Sequence, residues 1–261
     1  MAEPAGSGLD GPLAEQVAAT ARALVAAGLI EAFGHVSARL DDGGSLITPT
    51  TPLGVTTAQQ VVRVDAAGVA ADASARPPLE VPLHLAIYRA RPDVHAICRG
   101  HGRAMVAWGA SRRDLPVHHG LGLLAGTEVR VHPDRDLVTT PEVADDVART
   151  LATDRCVLLW GNGGLATGAD LLDAATRMWF LEERAQVALA APPDDAQLDA
   201  DPPLADAWTR RGRHSEPELV RARAWFAATY LSGADTSNDS ITSTDTPTSN
   251  DTITTDPEER T

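Results

Sequence analysis

Three side chains in the stretch Pro77–His101, PPLEVPLHLAIYRARPDVHAICRGH, have the chemistry to move protons and hold an anion together. Glu80 is a carboxylate at the start of a helix. An apolar run follows and ends in Arg99-Gly100-His101. A carboxylate in a site serves as general acid or base. A histidine titrates near neutral pH and passes or orients a proton. A guanidinium is a permanent cation with a planar fork, suited to clamping a carboxylate or an enolate through two hydrogen bonds. Each also has a plainer reading. Glu80 is an acid at a helix N-terminus, where the dipole favours it, and Arg99 is its salt-bridge partner.

These groups are positioned by alternating elements. Leu79–Arg91 reads as a helix stopped by Pro92, and Val94–Cys98 as a buried strand. Upstream, Leu13–Leu29 has apolar residues at helical spacing and stops at Gly28. Gly34–Leu40 and Ser45–Thr48 read as strands around the turn Asp41-Asp42-Gly43-Gly44, with Val61–Asp65 as a further short strand. Downstream come a short helix over Gly102–Gly109 and a strand at Val129–Val131. Pro141–Ala152 reads as a helix capped by Thr140. A buried strand at Cys156–Trp160, the turn Gly161-Asn162-Gly163-Gly164 and a long helix over Ala169–Ala191 follow. Ser215 and Glu218 suggest a capping box for a last helix, Glu216–Leu231. Strands interleaved with helices predict a layered α/β fold.

The order GHVSARL…LITPTT, PPLE…HLAIYRARPDVHAICRGH, CVLLWGNGG resembles the class II aldolase/adducin family over about Leu13–Ala191. The resemblance implies a three-layer αβα fold with a central, mostly antiparallel sheet, and a homotetramer with active sites between subunits. In the fuculose-phosphate aldolase-like members, three histidines hold a divalent metal, two from a His-x-His after the middle strand and one from an Asn-His-Gly turn. The metal holds the enediolate, and a glutamate early in the preceding helix moves the proton.

Carried over by position, Glu80 fits the glutamate and His101 the second histidine, but Arg99 stands for the first. Asn162 fits the asparagine of the turn and Gly163 replaces its histidine, or, with a one-residue shift, Asn162 itself takes the histidine's place. Neither supplies a histidine, so a conventional three-histidine zinc site is absent. The positions that cradle phosphate in the family hold His35, Thr50-Thr51 and Pro78-Leu79 instead. The resemblance thus implies catalytic Glu80, Arg99 and His101, with Asn162, His35, Thr50, Trp160 and His119 as substrate-contact candidates. Trp160 suits an aromatic or polyketide-like ligand. His35, His118 and His119 could also regroup around His101 as a metal site; the plainer reading makes His119 and His84 structural.

The functional expectation is a lyase acting through an enolate on a non-phosphorylated carboxylated or carbonyl molecule. The reaction is decarboxylation, retro-aldol cleavage, dehydration or cyclisation, with Arg99 in place of metal, in aromatic or secondary metabolism. The alternatives are a non-catalytic assembly protein of the adducin type and a metallo-lyase with a regrouped site.

Composition narrows the setting. The 261-residue chain carries a formal charge of −14 and no lysine, which argues against nucleic acid and anionic membrane as partners. No run reaches the ~18 apolar residues of a membrane helix, and no signal peptide is evident. Cys98 and Cys156, both in apolar runs, read as reduced thiols of a cytoplasmic protein. Residues 1–11 are expected to be a flexible arm and 12–231 a single domain. The Ser/Thr/Asp-rich segment 232–261 is expected to be a disordered acidic tail.

Overall fold

The computed structural model describes residues 10–191 and 202–232. The expected arm, but for its last two residues, and the expected acidic tail, but for its first, lie outside them. Seven strands form one sheet: β1 (His35–Arg39), β2 (Ser45–Ile47), β3 (Val62–Val64), β4 (Ala96–Gly100), β5 (Val129–His132), β6 (Cys156–Leu159) and β7 (Gly164–Gly168). Their order is β3-β2-β1-β4-β7-β6-β5, antiparallel throughout except for the parallel pair β5–β6. The helices are α1 (Gly11–Ala26), α2 (Val81–Ala90), α3 (Arg103–Gly109), α4 (Pro141–Leu151), α5 (Leu171–Ala190), α6 (Pro202–Gly212) and α7 (Ser215–Phe226).

Strand alternation sends successive side chains to opposite faces, and the two faces carry separate cores. On one, Cys98, Ala166 and Leu158 pack against α1, α3 and α5. On the other, Ile97, Leu165 and Val157 meet Leu83 and Ile87 of α2 and Val147 and Leu151 of α4. The architecture is therefore helix, sheet, helix, as expected.

Several predicted elements shift. The middle strand runs to Gly100, so Arg99 lies inside it, fully buried, rather than beyond its end. The cause is its position between two antiparallel neighbours: Arg99 is opposite His35 of β1 and Leu165 of β7. Val94 instead closes a turn onto the Arg91 carbonyl. β7, Gly-Leu-Ala-Thr-Gly, was not predicted at all, and neither was α6. At the last helix, His214 takes the N-cap position and the Ser215 hydroxyl is buried without a partner, so the capping box does not form. Thr140 does cap α4, accepting from the Val143 N–H.

Candidate active site

The helix α2 begins where Glu80 leaves the turn after Pro77-Pro78, with Pro82 in its first turn. The proline has no N–H to leave unsatisfied there, and the helix dipole favours a carboxylate at that end. Opposite it, β1 and β4 lie side by side, placing His35 next to Arg99 on the face turned toward α2. Their close approach depends on Gly34, which has φ +152°. A Cβ there would stand 2.8 Å from the Arg99 carbonyl oxygen and 2.9 Å from the Ile30 side chain.

These elements close around a cavity of about 540 Å³ whose lining includes His35, Thr50, Glu80, Arg99, His101 and Asn162. Six of the eight candidates thus meet in one place, although they come from five parts of the chain. The walls are apolar: Phe33, Leu53, Leu79 and Leu137, with Pro49 and Pro78.

Within the cavity, Glu80 and Arg99 are both buried, at 6% and 0% exposure. Arg99 Nε lies 3.3 Å from Glu80 Oε2, a charge contact without hydrogen-bond alignment, since Nε has no hydrogen-bond partner. Arg99 Nη1 donates to the Gly100 carbonyl at 2.8 Å and reaches the Gly164 carbonyl at 3.4 Å. Arg99 Nη2 and Glu80 Oε1 are buried with no partner. A buried polar atom without a partner carries a desolvation penalty of about 1–3 kcal/mol, more when charged. Both atoms belong to residues in the cavity lining.

Among the described residues the hydrogen bond to the Glu80 carboxylate comes from His35, whose Nε2 is 2.9 Å from Oε2. Burial alone would raise the Glu80 carboxyl. The His35 hydrogen bond and the charge of Arg99 outweigh it and hold the group at about 2, so it is ionised at neutral pH. Burial, with the positive charge of Arg99 adding to it, lowers His101 and favours its neutral ring. His101 Nδ1 donates to the Phe33 carbonyl at 3.1 Å, and Nε2 lies 3.1 Å from Asn162 Oδ1, an orientation that a half-turn of the amide exchanges for its NH2. A neutral ring with its proton on Nδ1 has a lone pair on Nε2. The Asn162 amide is therefore assigned with its NH2 toward that nitrogen.

Two candidates fall elsewhere. Trp160 does not line the cavity, because the guanidiniums of Arg112 and Arg135 stack on its ring at 4.1 and 4.0 Å. His119 stands at the start of the short turn Gly120–Ala125, with its ring beside Gly122. His35 lines the cavity but turns one ring nitrogen to Glu80 and the other to His84. It is thus occupied with the carboxylate rather than free for substrate. The Thr50 hydroxyl and N–H both point to the Arg76 carbonyl, at 3.3 and 3.0 Å.

The residues do not fit the divalent metal that the family resemblance implies. A guanidinium fills the place of one histidine. Gly163 or Asn162 fills that of another: a Cβ at the Gly163 φ of +68° would collide with the Gly100 carbonyl, and the Asn162 side chain meets His101. The regrouped set is not assembled either, since His35 is engaged with Glu80 and His84 and His119 lies elsewhere. Among the described residues no three His, Cys, Asp or Glu are arranged to hold a metal ion. A structural zinc site needs four such donors and a catalytic one at least three.

Sequence reasoning missed Ser37 and Tyr88, and read His84 as structural without placing it; all three stand behind Glu80. A signal was present: Glu80, His84 and Tyr88 recur every four residues on one face of α2, and His35 and Ser37 alternate on one face of β1.

A carboxylate, a buried cation and a neutral histidine converge at the end of a central antiparallel strand. The model of the class II aldolase and adducin N-terminal domain matches residues 15–189, and the chain belongs to that family. It is 32% identical over 161 residues to 5-methylthioribulose-1-phosphate/5-deoxyribulose-1-phosphate aldolase of Escherichia coli O45:K1, covering 61% of this chain and 75% of that one. It is 31% identical over 189 residues to 3,4-dihydroxyphthalate decarboxylase of Terrabacter sp., covering 66% of this chain and 78% of that one. A solved L-fuculose 1-phosphate aldolase superposes with a TM-score of 0.65 at 25% identity, over 74% of this chain and 95% of that one. The protein is a divergent class II aldolase-like lyase. Among the described residues no helix is long and apolar enough to cross a membrane.

Proposed function

We propose that the protein decarboxylates a non-phosphorylated small molecule whose carboxylate lies one carbon away from a carbonyl or phenol oxygen, without a metal. The observation that carries this reading is the buried, offset pair Arg99 and Glu80, each with a partnerless polar atom, in the lining of one apolar-walled cavity.

In this reading the substrate oxygen sits on Arg99 Nη2 and the scissile carboxylate faces the apolar side, near Phe33, Leu79 and Leu137. From a β-keto acid, CO2 leaves with its bonding electron pair passing to the carbonyl oxygen to make an enolate. An ortho-hydroxyaryl acid first takes a proton from Glu80 on the ring carbon that bears the carboxylate. Loss of CO2 from that dienone passes the pair to its carbonyl oxygen and restores the ring. Arg99 meets that charge as it develops, which lowers the barrier more than it stabilises bound substrate. The enolate carbon then needs one proton. A bound anion shares the Arg99 charge and raises the Glu80 carboxyl, so that Glu80 takes a proton on Oε1 and hands it to carbon. His101, oriented by Phe33 and Asn162, exchanges protons with water at the cavity mouth.

Two further observations support the substrate class. The groups of Thr50 that would cradle a phosphate are already engaged by Arg76. The exposed Phe33 and Leu79, at 76% and 72%, give the mouth an apolar rim suited to an aromatic body. The relative from Terrabacter is named for an aromatic dicarboxylate.

The test is CO2 release from a panel of ortho-hydroxyaryl carboxylates and β-keto acids, with and without phosphate groups, by chelator-treated protein. Turnover of a non-phosphorylated member, and a drop of about 10²–10⁴ in Glu80→Gln, is the expected result. Turnover confined to sugar phosphates, or full rate in Glu80→Gln, would sink the proposal.

A further inference from the structure

Behind Glu80 runs an unbroken line of buried side chains. His35 Nε2 meets Glu80 Oε2 at 2.9 Å, and His35 Nδ1 meets His84 Nε2 at 2.6 Å. His84 Nδ1 meets the Ser37 hydroxyl at 2.6 Å, which meets the Tyr88 hydroxyl at 2.7 Å. None of the five residues is more than 6% exposed.

The charge of one end sets every proton. An ionised carboxylate only accepts, so His35 Nε2 carries the hydrogen and its Nδ1, in a neutral ring, accepts. His84 must then donate from Nε2 and accept at Nδ1. Ser37 supplies that hydrogen and accepts from the Tyr88 hydroxyl. In this orientation each of the four contacts has one donor and one acceptor. Burial lowers both histidines, with Glu80 opposing the shift and Arg99 adding to it, so both rings are neutral. Burial also raises the Tyr88 phenol, which stays a donor. The titratable groups facing Glu80 are His35 from β1 and His84 from α2, and the permanent charge facing it is Arg99 from β4. Arg99 is poorly aligned with Oε2, so the directional bond on that oxygen comes from His35 alone.

We propose that Ser37, His84 and Tyr88 are positioning residues that lock His35 in the tautomer whose Nε2–H grips Oε2 of Glu80, leaving Oε1 as the oxygen offered to substrate. The inference rests on the reading of Glu80 as the proton-transfer group, and gives that group a built-in orientation. Hydrogen bonds that fix a histidine tautomer from behind are a known way to orient an active carboxylate or metal. Without it, the His35 ring is free to present a lone pair to Glu80.

The test is nitrogen NMR of the full chain with labelled histidine side chains. At pH 7, His35 and His84 are each expected as neutral rings with hydrogen on Nε2. A hydrogen on Nδ1, or a charged ring, at either residue would overturn the lock. A second measurement follows the Glu80 carboxyl carbon through a pH titration. In His84→Leu its midpoint should climb from about 2 toward the ordinary 4.5. In His84→Gln, whose amide can donate to His35 and accept from Ser37, the midpoint should return. A midpoint unmoved in a folded His84→Leu protein overturns the positioning role. If that variant does not fold, the wild-type tautomers and the His84→Gln midpoint decide. The expected tautomers together with a fully active Glu80→Gln would instead remove the catalytic reading of Glu80, so the two failures are distinguishable.

Discussion

Arg99 and Glu80 touch through one atom each and leave one atom each open: Nε faces Oε2 at 3.3 Å, while Nη2 and Oε1 are buried without partners. A salt bridge that only filled an obsolete cavity would be expected to close bidentately, since the guanidinium fork matches a carboxylate. The offset geometry instead keeps a cation and an anion available to a third party. Burying both charges is itself expensive, and the pair persists because each partly neutralises the other.

From this follows a stability prediction. Glu80→Gln leaves Arg99 with two carbonyls and no counter-charge, and Arg99→Met leaves Glu80 buried with only His35. Each single change should destabilise the protein by about 3–5 kcal/mol. The double change Glu80→Gln/Arg99→Met should recover most of that loss, because two uncharged side chains need no compensation, yet remain inactive. Urea unfolding of the four proteins measures the coupling. Additive losses would show that the two charges do not neutralise each other.

Acid should destabilise the protein in two stages. His35 and His84 have folded pKa values below the ordinary 6.5. Their stabilising contribution is complete above that value and is lost as pH falls below it, because the unfolded chain takes up protons that the native rings refuse. Each contributes a slope of about 1.4 kcal/mol per pH unit. Glu80, held at about 2 against an ordinary 4.5, adds a second loss as pH falls between those values. Unfolding free energy measured from pH 8 to 4 should therefore decline from about pH 6.5. His84→Gln should show a slope shallower by about one proton, and an equal slope in both proteins would contradict the neutral assignment of His84.

Inorganic phosphate should be a poor ligand. The Thr50 N–H and hydroxyl already serve the Arg76 carbonyl, and Pro78, also in the lining, has no N–H to offer. Of the side chains in the cavity lining, only Arg99 carries a permanent charge, and it is shared with Glu80. Calorimetric titration should detect no phosphate binding at low millimolar concentration, whereas a benzoate-type carboxylate should bind and lose affinity in Arg99→Met. Saturable phosphate binding would return sugar phosphates to consideration.

How legible this was in the sequence differs by element. The helix α4 announced itself through Thr140, Pro141 and a strongly one-sided apolar pattern, and its observed span, Pro141–Leu151, falls one residue short of the prediction. The strand β7 did not: Gly164-Leu165-Ala166-Thr167-Gly168 has small residues and a glycine at each end, and reads locally as a continuation of the turn. It is a strand because β4 and β6 flank it and take up its backbone groups, a tertiary cause that local propensity does not carry. In the site, Glu80, Arg99, His101 and Asn162 were found because their order resembles a known motif. Trp160 was misplaced because nearness to the turn in sequence was taken for nearness in space, while two arginines cover its ring. The pairing of His35 with His84, forty-nine positions apart, depends on α2 lying over β1.

Restoring the histidines should not restore the metal site. Arg99→His removes the fixed cation, but Gly163 has φ +68°, a conformation that side chains rarely adopt, and a Cβ there runs into the Gly100 carbonyl of the neighbouring strand end. Gly163→Ala alone should lower stability by about 1–3 kcal/mol, from the strained φ and the displaced backbone. In Arg99→His/Gly163→His the turn must shift away from β4 to admit the ring, which carries Asn162 away from His101 and moves the new ligand off the axis of the other two. Equilibrium dialysis against zinc should find no stoichiometric site surviving mild chelation. Tight binding of one zinc per chain by that double variant would show that the turn relaxes freely, and that the change at Arg99, rather than the backbone, is what set this protein apart from a metal-holding site.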